Sequence, residues 1–233
     1  MQIEVEARPS YGMATVTLNK GDKITAESSS MVAMSSGLGI ETHFNGAGGG
    51  GFGDWVQAAF TGLVRRFMAG ETMFVNTFTG TKDGQQVMLA PSMVGDVEHI
   101  VLDGQRKIVV QASSYLASGK GITIDLIWGG FAMLFGGEGA FFLQCKGTGD
   151  LLINAYGGIE KLEIDGGYIV DSGHVVAWEG DLKYSIRKAG GWKSAMLSGE
   201  GLVLEFKGKG TLWMQTRNLS AFVGWISPFL PGV

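Results

Sequence analysis

The chain has 233 residues and a formal charge of −4, from 18 basic and 22 acidic side chains. Apolar residues make up 45 % of it, enough for a sizeable core, which excludes wholesale disorder. A single cysteine excludes a disulfide framework and a Cys-rich metal site, and the net acidity argues against DNA or general RNA binding, which needs a basic surface.

The opening Met1-Gln-Ile-Glu-Val-Glu-Ala-Arg8 lacks a basic stretch followed by an apolar one, so no secretory signal is read and a cytoplasmic location is expected. Alternating runs then begin, such as Ala14–Leu18, and recur to Gly201–Phe206. The 39 glycines mostly separate such runs, as positive-φ turns between short strands do. An all-β chain follows, with one or two short helices.

Two segments recur in order along the chain. Ile24–Met34 aligns without a gap to Ile108–Ser118 and to Tyr168–Trp178. Val32, Leu116 and Val176 then coincide, as do Ala33, Ala117 and Ala177. Small residues fill the middle of each copy, as a tight link between two strands requires. Lys20-Gly21, Asp103-Gly104 and Asp165-Gly166 precede the copies and read as turns. The second segment starts with Gly-Glu and reads as turn, strand, turn: Gly70–Gly80, Gly137–Gly147 and Gly199–Gly208. Three tandem β units are expected: 1–95, 96–158 and 159–233. Small β units leave sheet edges that seek partners, and no charged cap protects the outermost ones. A closed homo-oligomer with head-to-tail interfaces is the expected remedy.

The first unit carries an insertion. Gly46-x-Gly48-x-x-Gly51 matches a dinucleotide fingerprint by letter, but no βαβ context surrounds it, so a loop is read. Asp54 caps an expected helix over residues 54–68, whose apolar stripe Val56, Ala59, Phe60, Leu63, Val64 and Phe67 suits core packing. Trp192–Leu197 forms a shorter turn at the same place in the third unit. The greasiest stretches, Ile124–Phe135 and Ala221–Val233, are too short to span a bilayer.

Residues with chemistry are few. His43, His99 and His174 lack the spacing that places two imidazoles on one metal, so no metal is expected. Asp171-Ser-Gly-His174 sets a hydroxyl beside a base, yet it aligns with Glu27–Ser30 and Gln111–Ser114 and reads as a repeated turn. Cys145 falls in an alternating run and reads as a buried thiol. Asn218-Leu-Ser220 matches a glycosylation sequon by chance. Glu71, Glu138 and Glu200 stand at equivalent places; they would converge only around an axis, and otherwise bond backbone N–H groups of their own turns. No catalytic residue and no cofactor is assigned.

Phe142-Leu-Gln144, Gly147-Thr-Gly149, Val170–Trp178, Gly199–Val203 and Gly208–Arg217, with Arg8–Gly12 and Arg65–Glu71, resemble the altered-inheritance-of-mitochondria twenty-four family. The resemblance covers nearly the whole chain. It implies three domains like the tryptophan RNA-binding attenuator protein, each a β-sandwich or short double-stranded β-helix, in a ring-like homotrimer of nine units. Mitochondrial relatives are linked to inner-membrane organisation, and the resemblance therefore implies scaffolding alongside another protein or a membrane-associated complex. The expected function is a non-enzymatic structural or interaction scaffold. The alternative is a module binding a small molecule between units, and an RNA-binding ring ranks third.

Overall fold

A computed structural model describes residues 1–44, 74–128, 141–188 and 202–230. The expected helix over 54–68, the Gly46–Gly51 motif, the Trp192–Leu197 turn and all three of Glu71, Glu138 and Glu200 lie outside the described residues.

The described chain is almost wholly antiparallel β structure. Its strands are β1 (Gln2–Glu6), β2 (Met13–Leu18), β3 (Lys23–Glu27), β4 (Met31–Met34), β5 (Gly39–Phe44), β6 (Phe74–Thr79), β7 (Gln85–Leu89) and β8 (Val97–Gln111). There follow β9 (Tyr115–Gly119), β10 (Ile122–Trp128), β11 (Phe141–Asn154), β12 (Ile159–Asp171), β13 (Val175–Gly180), β14 (Lys183–Lys188) and β15 (Leu202–Gln215). One helix, α1 (Leu219–Ile226), ends the described fold.

A 4-stranded sheet runs β1-β2-β7-β4, and an 11-stranded sheet runs β12-β15-β13-β8-β11-β9-β3-β6-β5, with β10 on β11 and β14 on β15. The pairings follow one scheme in each third of the chain. β2 and β3 pair with β7 and β6, β8 pairs along β11, and β12 pairs along β15. A shorter strand lies on the other side of each return strand: β4 on β7, β9 on β11 and β13 on β15. Each of these short pairings carries a register shift at the same place, between Met31 and Ala33, Tyr115 and Ala117, or Val175 and Ala177.

The Gly-centred bends differ from the expected turns in two of three cases. Gly21 (φ 88°) does divide β2 from β3, whereas β8 and β12 run unbroken through Gly104 (φ 88°) and Gly166 (φ 128°). β11 and β15 likewise continue through Gly147 and Gly208 instead of turning there. A positive-φ glycine lets a long strand bend and still hold its ladder.

Three apolar clusters make the core. The first joins Val16, Leu18, Ile24, Phe78 and Leu89 with Leu116 and Ala117 from β9. The second joins Leu102, Ile108, Val110 and Leu151 with Val176 and Ala177 from β13. The third, around Phe142, Trp178, Leu204, Phe206 and Leu212, receives no comparable contribution from a following strand among the described residues. Phe142, Trp178, Tyr184 and Phe206 meet within it, four of their pairs edge to face with centroids 4.9 to 5.6 Å apart.

Candidate functional site

Several of the described residues singled out for their chemistry are engaged in structure. Asp171 accepts a hydrogen bond from Gly173 N (2.9 Å) at the start of a 3-10 turn, Ser172–His174, and His174 Nδ1 lies 2.7 Å from Gln215 O. The same turn type, Ala112–Ser114, links β8 to β9. His99 Nε2 pairs with Asp150 Oδ1 at 2.8 Å across β8 and β11. Cys145 is fully buried, and the loss of solvation pushes its thiol up to about 12. His43 lies in β5. Among the described residues no group of His, Cys, Asp and Glu is arranged to hold a metal ion.

Asn218 of the sequon-like triplet has a structural task. Its Oδ1 accepts from Ala221 N at 3.2 Å, so it caps α1, and its Nδ2 donates to Asp171 Oδ1 at 3.2 Å. Sequence reading missed this helix because it weighed residues 221–233 only as a greasy stretch. The Asn cap was the available signal.

The surfaces that stand out are two strand edges. β4 ends the 4-stranded sheet, and all four of its residues are exposed. β12 ends the 11-stranded sheet, with Tyr168 and Ile169 exposed. The β4 edge is apolar throughout, and that of β12 is apolar at Tyr168 and Ile169 beside its exposed Glu160, Lys161, Glu163 and Asp165, whereas the exposed residues of β1, Gln2, Glu4 and Glu6, blunt its edge.

The aligned positions sharpen the contrast. Leu116 and Val176 are 0 % exposed, while Val32 at the same place is 57 % exposed. Tyr115 and Val175 are buried where Met31 is exposed, and Ser118 and Trp178 are buried where Met34 is exposed. On the opposing strands, Ile24 and Ile108 are 0 % exposed against 41 % for Tyr168.

The cause is strand pairing. Ala117, Ser118 and Gly119 pair with Ala26, Thr25 and Ile24. Ala177, Trp178 and Glu179 pair with Val110, Val109 and Ile108, the same register one third further along. Among the described residues β4 has no partner beyond β7, and β12 has none beyond β15. Tyr115 also reaches across its joint, donating from Oη to Thr25 O at 3.0 Å with Ser118 Oγ 2.8 Å away.

A second clasp ties the N-terminal segment to β8. Arg8 donates from Nε and Nη2 to the two oxygens of Asp96 at 2.7 and 2.9 Å. Asp96 is buried and also accepts from Val97 N at 2.9 Å. The carboxylates of Asp96 and Glu98 hold the guanidinium pKa above its ordinary value, the hydrogen bond to Asp96 contributing most.

Among the described residues no helix is long and apolar enough to cross a membrane. A family model described as Mitochondrial biogenesis AIM24 matches residues 3–217. An uncharacterized protein of Streptococcus pyogenes serotype M6 is 30 % identical over 234 residues, spanning 99 % of this chain and 92 % of the relative. The crystal structure of protein SPYM3_0169 from Streptococcus pyogenes superposes with a TM-score of 0.79 at 26 % identity, covering 98 % of this chain and 99 % of the other.

Proposed function

The chain belongs to the Mitochondrial biogenesis AIM24 family, and from that footing we propose that it is a non-enzymatic structural or interaction scaffold that assembles with copies of itself. It consists of three tandem β units, residues 1–95, 96–158 and 159–233. Each following unit inserts its short strand into the edge of the one before. Three chains close head to tail into a ring of nine units.

The observation that carries this reading is the exposure of Val32, where Leu116 and Val176 are fully buried. Continuing the internal register sets Ala33, Met34 and Ser35 of one copy against Val170, Ile169 and Tyr168 of another. Val32 and Ala33 would then complete the third apolar cluster as Leu116 and Ala117 complete the first. Two different edges meeting make a heterologous contact, which closes into a ring when the rotation permits. Burying a side chain such as Val32 or Met34 contributes roughly 1.5–3 kcal/mol, so few residues suffice to drive the contact.

A non-catalytic role accords with the tasks of the reactive groups: Cys145 is held as a buried thiol, His174 bonds a backbone carbonyl, and His99 is paired with Asp150. Static light scattering on the purified protein tests the assembly. Three chain masses are expected, falling to one in Val32→Lys; a single chain mass for the unaltered protein at micromolar concentration would refute the reading.

A further inference from the structure

Helix α1 is tied to the body at its N-terminal cap and by one aromatic contact. Asn218 bonds Asp171, and the Phe222 ring meets Tyr156 edge-on at 6.1 Å. None of its residues is buried. Leu219, Phe222 and Val223 are exposed, and beyond the helix so are Phe229 and Leu230. Trp225, in tilted ring contact with Phe222 and Phe229, is 65 % exposed. Asn218 to Val233 contains no ionisable side chain. So much uncovered apolar surface on one short element marks a contact surface.

Its place in the fold selects the occupant. The segments that lead into β2, β8 and β12 lie side by side. Gly12 N donates to Gly95 O at 2.7 Å, and Asp96 N donates to Gly157 O at 2.8 Å. Thr216 N donates to Gly158 O and Arg217 N to Tyr156 O, at 3.0 and 3.2 Å. The approach is close: a Cβ on Gly95 would lie 1.8 Å from Ala155 O. Residues 216–217 are the last step of this row and stand where a fourth unit would begin. In a head-to-tail joint, the place beside them falls to the segment before β2 of a second copy, which carries Tyr11, 72 % exposed.

The register of the same joint brings a second apolar group to the helix. With Ala33 opposite Val170, the antiparallel course carries Val32 and Met31 of the second copy towards Asp171, the residue bonded to the cap of α1. We infer that α1 is a latch: its apolar face docks on a second copy of this chain, against Tyr11 and the exposed start of β4. This inference rests on the ring reading and adds to it a role for the C-terminal segment, which the strand edges alone do not require.

The test uses the full chain and Trp225→Asp, with Val32→Lys as the edge control. Light scattering across a dilution series gives the dissociation constant of the assembly, and vesicles of phosphatidylcholine with phosphatidylglycerol report on lipid as the occupant. Trp225→Asp should keep the far-ultraviolet dichroism of the parent, dissociate at a concentration at least tenfold higher, and leave vesicle binding at background. Tyr11→Cys combined with Phe229→Cys should yield covalent multimers under mild oxidation. Unchanged dissociation in Trp225→Asp, while Val32→Lys falls apart, overturns the latch and spares the ring. Vesicle binding by the parent that Trp225→Asp abolishes also overturns the latch, because lipid then covers the helix. A parent that is monomeric throughout removes the ring and the latch together.

Discussion

β9 and β4 hold the same place beside their return strands, yet every residue of β9 is buried and every residue of β4 is exposed. Both are short, both carry an alanine in the middle, and both follow a tight link from a preceding strand. The difference is what lies on the far side. β9 is covered by β3, whereas β4 is the last strand of its sheet. Burial here is therefore a property of the neighbour and not of the strand. The teaching extends to the opposing edge, where Ile108 is sealed by β13 and Tyr168 faces outward.

The comparison is broken most forcefully by removing a covered side chain. Leu116→Ala should lower unfolding stability by about 2–5 kcal/mol, since a fully buried leucine leaves a cavity behind. Urea denaturation measures it. Arg8→Ala strips the ion pair from buried Asp96 at the joint between the N-terminal segment and β8, with a loss of about 3 kcal/mol. The half-exposed guanidinium places this at the low end for such pairs. Restoration with lysine should be partial, because an ammonium lacks the planar fork that makes two parallel bonds to the carboxylate.

Tyr115→Phe removes the hydroxyl that spans the β3–β9 joint, with an expected loss of about 1–2 kcal/mol in the same denaturation series. Val32→Ala is the counterpart of Leu116→Ala at the open edge. In chains dissociated by dilution it should change stability by no more than about 0.5 kcal/mol, as exposed positions do. A loss comparable to that of Leu116→Ala under those conditions would show that β4 is covered within its own chain.

Much of the fold was legible in the sequence because period-two alternation and glycine punctuation are local signals. The coincidence of Val32 with Leu116 and Val176 was also visible, but not that one of the three is exposed, since that depends on strand order. Asp103-Gly104 and Asp165-Gly166 read as turns because Asp-Gly favours them; the ladder of β8 and β12 overrides that preference and leaves only a bend. Asp171–His174 was recognisable as a turn from its alignment, whereas the Asn218 cap was obscured by the sequon-like letters around it. Glu71, Glu138 and Glu200 fall outside the described residues.

The most direct measurement is an oxidation experiment on Met34→Cys combined with Ile169→Cys, in a chain whose own Cys145 is buried and held as the thiol. Those two positions face each other when one copy's β4 continues the pairing that β9 makes with β3. Disulfide-linked multimers, absent from either single variant and closing at three chains, are the predicted result. Chains that stay monomeric on a non-reducing gel, despite forming a native assembly, would contradict the account.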